Sequence, residues 1–423
     1  MNEDLLEILG DRLTDRIQKA NTYYLTKIGE MIKRIRDLKP TQAQQLVQML
    51  KYGGSYEEIL IEISSLTGID PIEIDRMFAQ YSRNDLNFAK KFYDYRNIPF
   101  IPFDENIALK RQTEALANIT KNAMNNFTRS RALGYSFKEL DGTTKFYGLR
   151  ETYEKVLDEA LINVGQGRDT FDNSMTRILK ELGGSGLRTL DYESGRSIRL
   201  DSMVRMHLKS GLRELHNENQ RLLGEEYGAD MVEVSHHSNS ALDHIDTVDG
   251  KQFALIDKIK EQIKSGIEKE IKMEDIEENR VKVKGKWYYD YNYINDNLER
   301  PVSTLNCYHY TFSGILGISK PRYTKRELQE DKEKNMTGCE IDGKHYTLYE
   351  ASQLQREFER RIREQKDIQI LGKSSNNDEV INEAQSKITI LTRKYKEICD
   401  ISGLPYKAKR LSVVGYKRAK LNK

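Results

Sequence analysis

Between positions 3 and 37 apolar residues recur at alternating steps of three and four: Leu6, Leu9, Leu13, Ile17, Ala20, Tyr24, Ile28, Met31 and Ile35. That spacing lays a narrow apolar seam of coiled-coil type along one helix. Pro40 ends it, because proline removes a backbone donor. Two shorter helical runs follow, one leading into Gly53-Gly54 and one ending at Gly68. In Asp70-Pro71-Ile72-Glu73, aspartate can cap a helix, proline fits its first turn and glutamate can reach back to the cap N–H. The helix so opened carries Ile74, Met77 and Phe78.

The prolines of Arg96–Phe103 predict an extended segment. Helical stretches are expected near 106–132 and 148–183. Asp191-Tyr-Glu-Ser-Gly-Arg196 reads as a hairpin turn between short strands. Asp201 or Ser202 caps a helix with Met203, Met206, Leu212 and Leu215 at helical spacing. From 229 the pattern changes: Met231-Val-Glu-Val-Ser235 alternates as a strand does, and glycine, histidine and aromatic residues follow as far as Tyr323. The charged stretch 257–280 reads as a solvated helical insertion. Two further seams close the chain, Leu348, Ala351, Leu354, Phe358, Ile362 and then Ile381, Ala384, Ile388, Leu391, Tyr395, Ile398. With the polar turn Lys373–Asp378 between them they predict an αα-hairpin.

The expectation is a mainly α protein with a small α+β domain: long amphipathic helices, a helical N-terminal head and a C-terminal αα-hairpin. By pattern the chain divides into a helical region 1–104, a central helical region 105–228 with a short hairpin near 188–200, a small α+β domain 229–325, and a helical hairpin with a basic tail, 326–423. Composition agrees with an extended, helix-rich chain. Only 38% of residues are hydrophobic and 32% are charged, with 7 prolines in 423 residues. Net charge is +2, too small for a global field that steers the protein onto nucleic acid. Three cysteines provide no disulfide framework and favour a reducing compartment. No apolar run is long enough for a membrane span, and the acidic start lacks the apolar stretch of a signal peptide.

Candidate chemistry gathers in the α+β section. It holds His236, His237, His244 and His309, with Cys307 two positions before His309. His237, His244, Cys307 and His309 would make a closed Cys-His₃ zinc site. The same residues read more simply as a small polar core whose side chains hydrogen-bond one another and the backbone. Cys339 and Cys399 read as small buried hydrophobes, and His207 and His216 as surface or cap residues of their helix. His236-His237 with Asp243, Asp246 and Asp249 could be drawn as a metal-dependent hydrolase or nuclease, although Asp243–Asp249 reads more simply as a turn-rich surface loop. The chain has no Walker A, zinc-deaminase or Gly-x-Ser-x-Gly motif, so no enzyme is expected. From Tyr406 onward Lys407, Lys409, Arg410, Lys417, Arg418, Lys420 and Lys423 occur without one acidic residue. Such a tail either contacts DNA phosphates, with counterion release, or frays into solvent.

Ser235-His236-His237, His244, Gly250-Lys-Gln-Phe253, Asn306-Cys-Tyr-His309 and Gly317-Ile-Ser319 together resemble the phage minor capsid protein 2 family, which is related to the phage Mu F-like head-morphogenesis proteins. Asp191–Arg196 with Asp201, and Tyr349–Arg363 with Cys399 and Ser402-Gly-Leu404, extend the likeness. Tyr308 stands where the family has arginine, and Ala241-Leu242-Asp243 where it often has Arg-Pro before the second histidine. The resemblance implies a structural protein of a tailed phage: low in copy, associated with the portal, present in the virion and in the host cytoplasm during assembly. Its implied partners are the portal protein, other head proteins and packaged double-stranded DNA, with no membrane. The Leu6–Ile35 seam and the C-terminal hairpin are the expected contact faces.

Overall fold

The computed structural model describes residues 3–68, 70–129, 132–139, 141–164, 168–190, 195–267, 270–304, 307 and 309–420, with the side chains of 3–10 and 168–170 excepted. Most of the turn read at Asp191–Arg196, together with Asn306, Tyr308 and Lys423, lies outside the described residues. The protein is mainly helical, with small antiparallel sheets of two to four strands. Its contacts divide into two compact units built from non-consecutive segments. One comprises Pro71–Thr120 and Ser210–Ser352, the other Asn2–Asp70, Lys121–Lys209 and Gln353–Lys423.

In the second of these units the long helix Glu3–Arg36 forms as its spacing predicts. Leu13, Ile17, Ala20, Tyr24, Ile28, Met31 and Ile35 are buried, and so are Leu25 and Ile32. The buried stripe is therefore wider than a coiled-coil seam. It packs against the helices Ser55–Thr67 and Leu149–Val164 of the same chain. The described part of the seam, expected as a partner contact, is consumed by the protein's own core. Polar groups inside this core are satisfied by the chain. Tyr24 donates to the Leu149 carbonyl (2.8 Å), and the Tyr135 hydroxyl and the Leu187 N–H both donate to Asn21 (3.0 and 2.8 Å).

The sequence reading leaves 133–147 unassigned between helices. That segment forms a hairpin, Leu133–Lys138 with Thr144–Gly148, on the edge of a four-stranded sheet completed by Arg188–Leu190 and Ser197–Arg199. The C-terminal αα-hairpin is present as Leu348–Ser375 and Asp378–Ser402. Asn376 takes a left-handed conformation at the turn, and the Asn377 side chain caps the second helix by accepting from the Val380 N–H. Arg199 lies buried with Asp367 at 3.0 Å and Asp201 at 3.5 Å. Burial pushes the Asp201 carboxyl up, but Arg363 and Arg199 outweigh it and hold it down at about 2.

The basic tail is docked rather than frayed through residue 420. Leu411 and Val413 are buried. Thr22 donates to the Val414 carbonyl (2.7 Å), Gln18 exchanges hydrogen bonds with Ser412 and Val414, and Lys409 pairs with Asp15 at 2.8 Å.

The first unit is organised around the helix Pro71–Arg96, residues 210–227 of the helix Leu200–Tyr227 and residues 107–120 of the helix Ile107–Thr128. Leu86, Ala89, Phe92, Tyr93, Leu109, Leu223 and Tyr227 form one apolar cluster there. Beside it runs a buried polar chain. Asn219 donates to Ser82 and Asp85 (both 3.0 Å), Ser82 bonds Thr113, and His216 bridges Asp85 (2.7 Å) and the Thr311 carbonyl (3.0 Å). His216, read as a surface or cap residue, is thus a buried tie between a helix and a strand. Its position on a polar-looking helix gave no sign that a carboxylate from the helix Pro71–Arg96 would face it.

A three-stranded sheet places Met231–Val234 in the centre, with Thr311–Gly314 and Gln252–Ala254 on its flanks, both antiparallel. The stretch 257–280 begins as the expected helix, Ile256–Lys264, but is not helical to its end. Ile276–Glu277, Arg280–Val283 and Lys286–Tyr289 form a meander. Val281 and Val283 point inward while Lys282 points out, a period-two signal hidden in a charge-rich segment.

Gly183 marks a close helix crossing: a Cβ there would lie 2.7 Å from the Ile368 Cα. Because the obstacle is backbone, Gly183→Ala is expected to destabilise this unit by about 1–3 kcal/mol, measured by urea unfolding. Gly184→Ala, where the nearest obstacle is the Ile368 side-chain tip at 4.0 Å, serves as the tolerated control.

Candidate functional site

Because the three strands of the Met231–Val234 sheet are antiparallel, one end of it collects Ser235–His237, the Asp249-Gly250 turn and the Cys307–His309 segment. Backbone bonds hold that end together: Ser235 N–H to the Tyr310 carbonyl (2.8 Å), Val234 N–H to Lys251 (2.9 Å) and Gly250 N–H to Ser235 (3.4 Å). The short helix Leu242–Ile245 brings His244 over the same place. Gly250 has φ +68, and a Cβ there would meet Leu328 at 2.4 Å, so the turn before the strand demands glycine.

His244, Cys307 and His309 converge, all three buried. The two Nδ1 atoms are 3.2 Å apart, and the Cys307 sulfur lies 3.5 Å from His309 Nδ1 and 3.9 Å from His244 Nδ1. Among the described residues this is the one group of three or more histidine, cysteine or acidic side chains spaced to hold a metal ion. His237, the fourth residue expected from the sequence, stands beside the group. Its ring packs edge-on against His309 with centroids 5.0 Å apart, and its Nε2 faces the Ser235 hydroxyl at 3.4 Å.

The outward nitrogens are held separately. His309 Nε2 donates to Asp249 (2.8 Å) and His244 Nε2 to the Arg300 carbonyl (2.6 Å). The Cys307 sulfur accepts backbone hydrogen bonds from His309 and Ser303, and Arg213 donates to the Cys307 carbonyl.

Asp249 is the hub. One oxygen accepts from His309, the His237 N–H (2.9 Å) and the Ser240 hydroxyl (2.9 Å), and the other from His236 (2.6 Å). The sequence reading placed Asp249 in a surface loop, yet its side chain is buried, whereas Asp246 is exposed and Asp243 is paired with Arg300 at 2.9 Å. His236 continues outward to Asp331 (2.8 Å), on the helix Lys325–Thr337 that the Thr324/Glu327 capping box starts. Asn335 of that helix donates to the Ser240 carbonyl (2.9 Å).

Charge follows this geometry. Burial raises the Cys307 thiol, but hydrogen bonds from His244, His309 and the backbone outweigh it and bring it down to about 5. Burial lowers His309, yet Asp249 and Cys307 lift it to about 9. His244 and His236 also sit above the ordinary histidine value, against burial, through Cys307 and the Arg300 carbonyl in one case and two carboxylates in the other. Asp249 is held well below the usual carboxylate range: burial opposes this, and the bonds from His236 and His309 prevail. Cys307, His309 and Asp249 also stand in the order of nucleophile, base and orienting carboxylate. The cysteine itself is only 3% exposed.

Cys399 is buried, in line with a small hydrophobe, and Cys339 is partly exposed. Of the tail cations, Lys407, Lys417, Arg418 and Lys420 are exposed, Lys409 is exposed but paired with Asp15, and Arg410 is half-buried.

Removing a buried carboxylate that satisfies several donors leaves them all unpaired. Asp249→Ala is therefore expected to cost about 3–5 kcal/mol in urea unfolding of the full chain. Asp331→Ala, which removes one part-exposed bond from the same histidine, is expected to cost no more than about 1 kcal/mol.

No helix among the described residues is long and apolar enough to cross a membrane. No curated protein and no solved structure gave a match to the chain. One family model did match, that of phage minor capsid protein 2, over residues 1–400. That span takes in the short helix and the segment that carry the His/Cys group, the helices around them and the C-terminal hairpin as far as residue 400. The chain therefore belongs to the phage minor capsid protein 2 family.

Proposed function

We propose that this minor capsid protein is a low-copy component of the particle that docks at the portal and to other head proteins during assembly. The observation that supports it is the family match over residues 1–400, which takes in both compact units rather than one grafted module. The structure also favours a building element over an enzyme: its one histidine–cysteine group among the described residues is enclosed, and its long helices are consumed in internal cores. With the described N-terminal seam buried, docking falls to surfaces that remain exposed. Apolar side chains left outside the cores include Tyr52, Ile61 and Ile72 toward the N-terminus and Ile390 and Ile401 on the C-terminal hairpin. Quantitative mass spectrometry of purified particles from an induced source strain is the direct test. A few to a few dozen copies per particle is the expected result; presence in lysate with absence from particles would overturn the low-copy virion reading.

A contact with packaged double-stranded DNA is part of the same proposal. Lys407, Lys417, Arg418 and Lys420 are exposed on a tail whose backbone is anchored by Leu411 and Val413. Cations held this way would neutralise phosphates without reading bases, so binding would be independent of sequence and fall steeply with salt. Truncation is a poor test, because it also removes buried packing. Replacing these four residues with alanine is expected to lower the salt slope of duplex binding by about 3–4 log units per log unit of salt. An unchanged slope would remove the tail from the DNA contact.

A further inference from the structure

We propose that His244 Nδ1, His309 Nδ1 and Cys307 Sγ form a three-ligand site for a zinc-class divalent cation. The inference is independent of where the protein sits in the particle.

Two observations carry it, and the first is the outer hydrogen bonding. His309 Nε2 faces a carboxylate and His244 Nε2 faces a backbone carbonyl, at 2.8 and 2.6 Å. Both partners only accept, so both Nε2 atoms carry the hydrogen. In the neutral imidazole that a metal binds, Nδ1 is then the free lone pair; in the metal-free chain a proton on Nδ1 makes the bonds to Cys307 described above. Both Nδ1 atoms and the sulfur thus point into one enclosed space, where a cation would take the place of the protons they share. Carboxylate or carbonyl acceptors behind histidine ligands are the usual device for fixing the tautomer that binds a metal.

The second observation is the spacing. Zinc binds histidine nitrogen at about 2.0–2.1 Å and cysteine sulfur at about 2.3 Å, nearly always tetrahedrally. Tetrahedral edges at those lengths are about 3.3 Å between two nitrogens and about 3.6 Å between nitrogen and sulfur. The three atoms here are separated by 3.2, 3.5 and 3.9 Å. They stand close to three corners of such a tetrahedron. Mixed nitrogen and sulfur ligands select zinc over magnesium or calcium, which take oxygen.

His237 is not among the ligands in this arrangement, because its Nε2 faces Ser235 rather than the convergence. The fourth corner falls to solvent or another small ligand. Bound there, the ion would tie the helix Leu242–Ile245 to the segment that enters the strand Thr311–Gly314.

The test uses the full chain, stripped with chelator and titrated with Co²⁺, while far-UV circular dichroism tracks folding. One equivalent is expected to bind, with the visible bands of tetrahedral cobalt and a near-ultraviolet sulfur-to-cobalt band, all displaced by Zn²⁺. Zn²⁺ is also expected to raise the melting temperature. Cys307→Ser should remove the sulfur band, while a Cys339→Ser/Cys399→Ser chain keeps it. His237→Ala should keep both stoichiometry and spectrum. Asp249→Asn should weaken Co²⁺ binding roughly 10–100-fold. A folded wild-type chain that binds neither Co²⁺ nor Zn²⁺ stoichiometrically overturns the site. A sulfur band that survives Cys307→Ser, or a His237→Ala chain that loses the metal, overturns the ligand assignment.

Discussion

The carboxylate of Asp249 is the point on which the site depends. It lies at the start of one strand and gathers donors from the ends of the other two: His236, the His237 N–H and Ser240 on one side, and His309 on the other. An ionised carboxylate is expensive to bury unless hydrogen bonds replace its water. Here four donors do so, and in return each is fixed in direction. The orientation of His309 follows from that, and with it the approach of His309 to Cys307 and His244.

The same economy runs through both compact units. With 38% of its residues hydrophobic, the chain lacks the material for large uninterrupted apolar cores. It builds cores in which apolar clusters alternate with closed polar ties. Asn21 accepts from Tyr135 and Leu187, Arg199 lies between Asp201 and Asp367, and His216 spans Asp85 and Thr311. Buried polar groups hydrogen-bonded in one geometry disfavour alternatives in which they would be unpaired. Low hydrophobicity is thus met by internal ties, and the long described seam is spent inward.

Much of the fold was legible in the sequence because helical periodicity is a local property. The stripe Leu13–Ile35, the start at Pro71 and the seams of the C-terminal hairpin each needed only their own neighbours to be read. The strand Met231–Val234 was legible for the same reason. The hairpin Leu133–Gly148 and the meander Ile276–Tyr289 were not, since strands of two to six residues carry few alternations and here share them with charged side chains. The histidine–cysteine group was visible as a set of residue types. Three of its four expected members do converge, but His237 turns aside to Ser235, a choice made by the path of the chain after the central strand. Asp249 looked like one more acid in a turn.

By itself the sequence determined the helices, their apolar faces, the family and the candidate ligands. Each is fixed by residue type and spacing within a few turns of chain. Only the tertiary structure decided which faces are buried against the chain itself, that the basic tail lies docked along the N-terminal helix, and that Asp249, Arg300 and Ser303 orient the His/Cys group. Those outcomes rest on contacts between residues tens to hundreds of positions apart. The reason is physical: whether a polar side chain is solvated or becomes a buried tie depends on the partner that packing brings to it, and a linear pattern does not contain that partner.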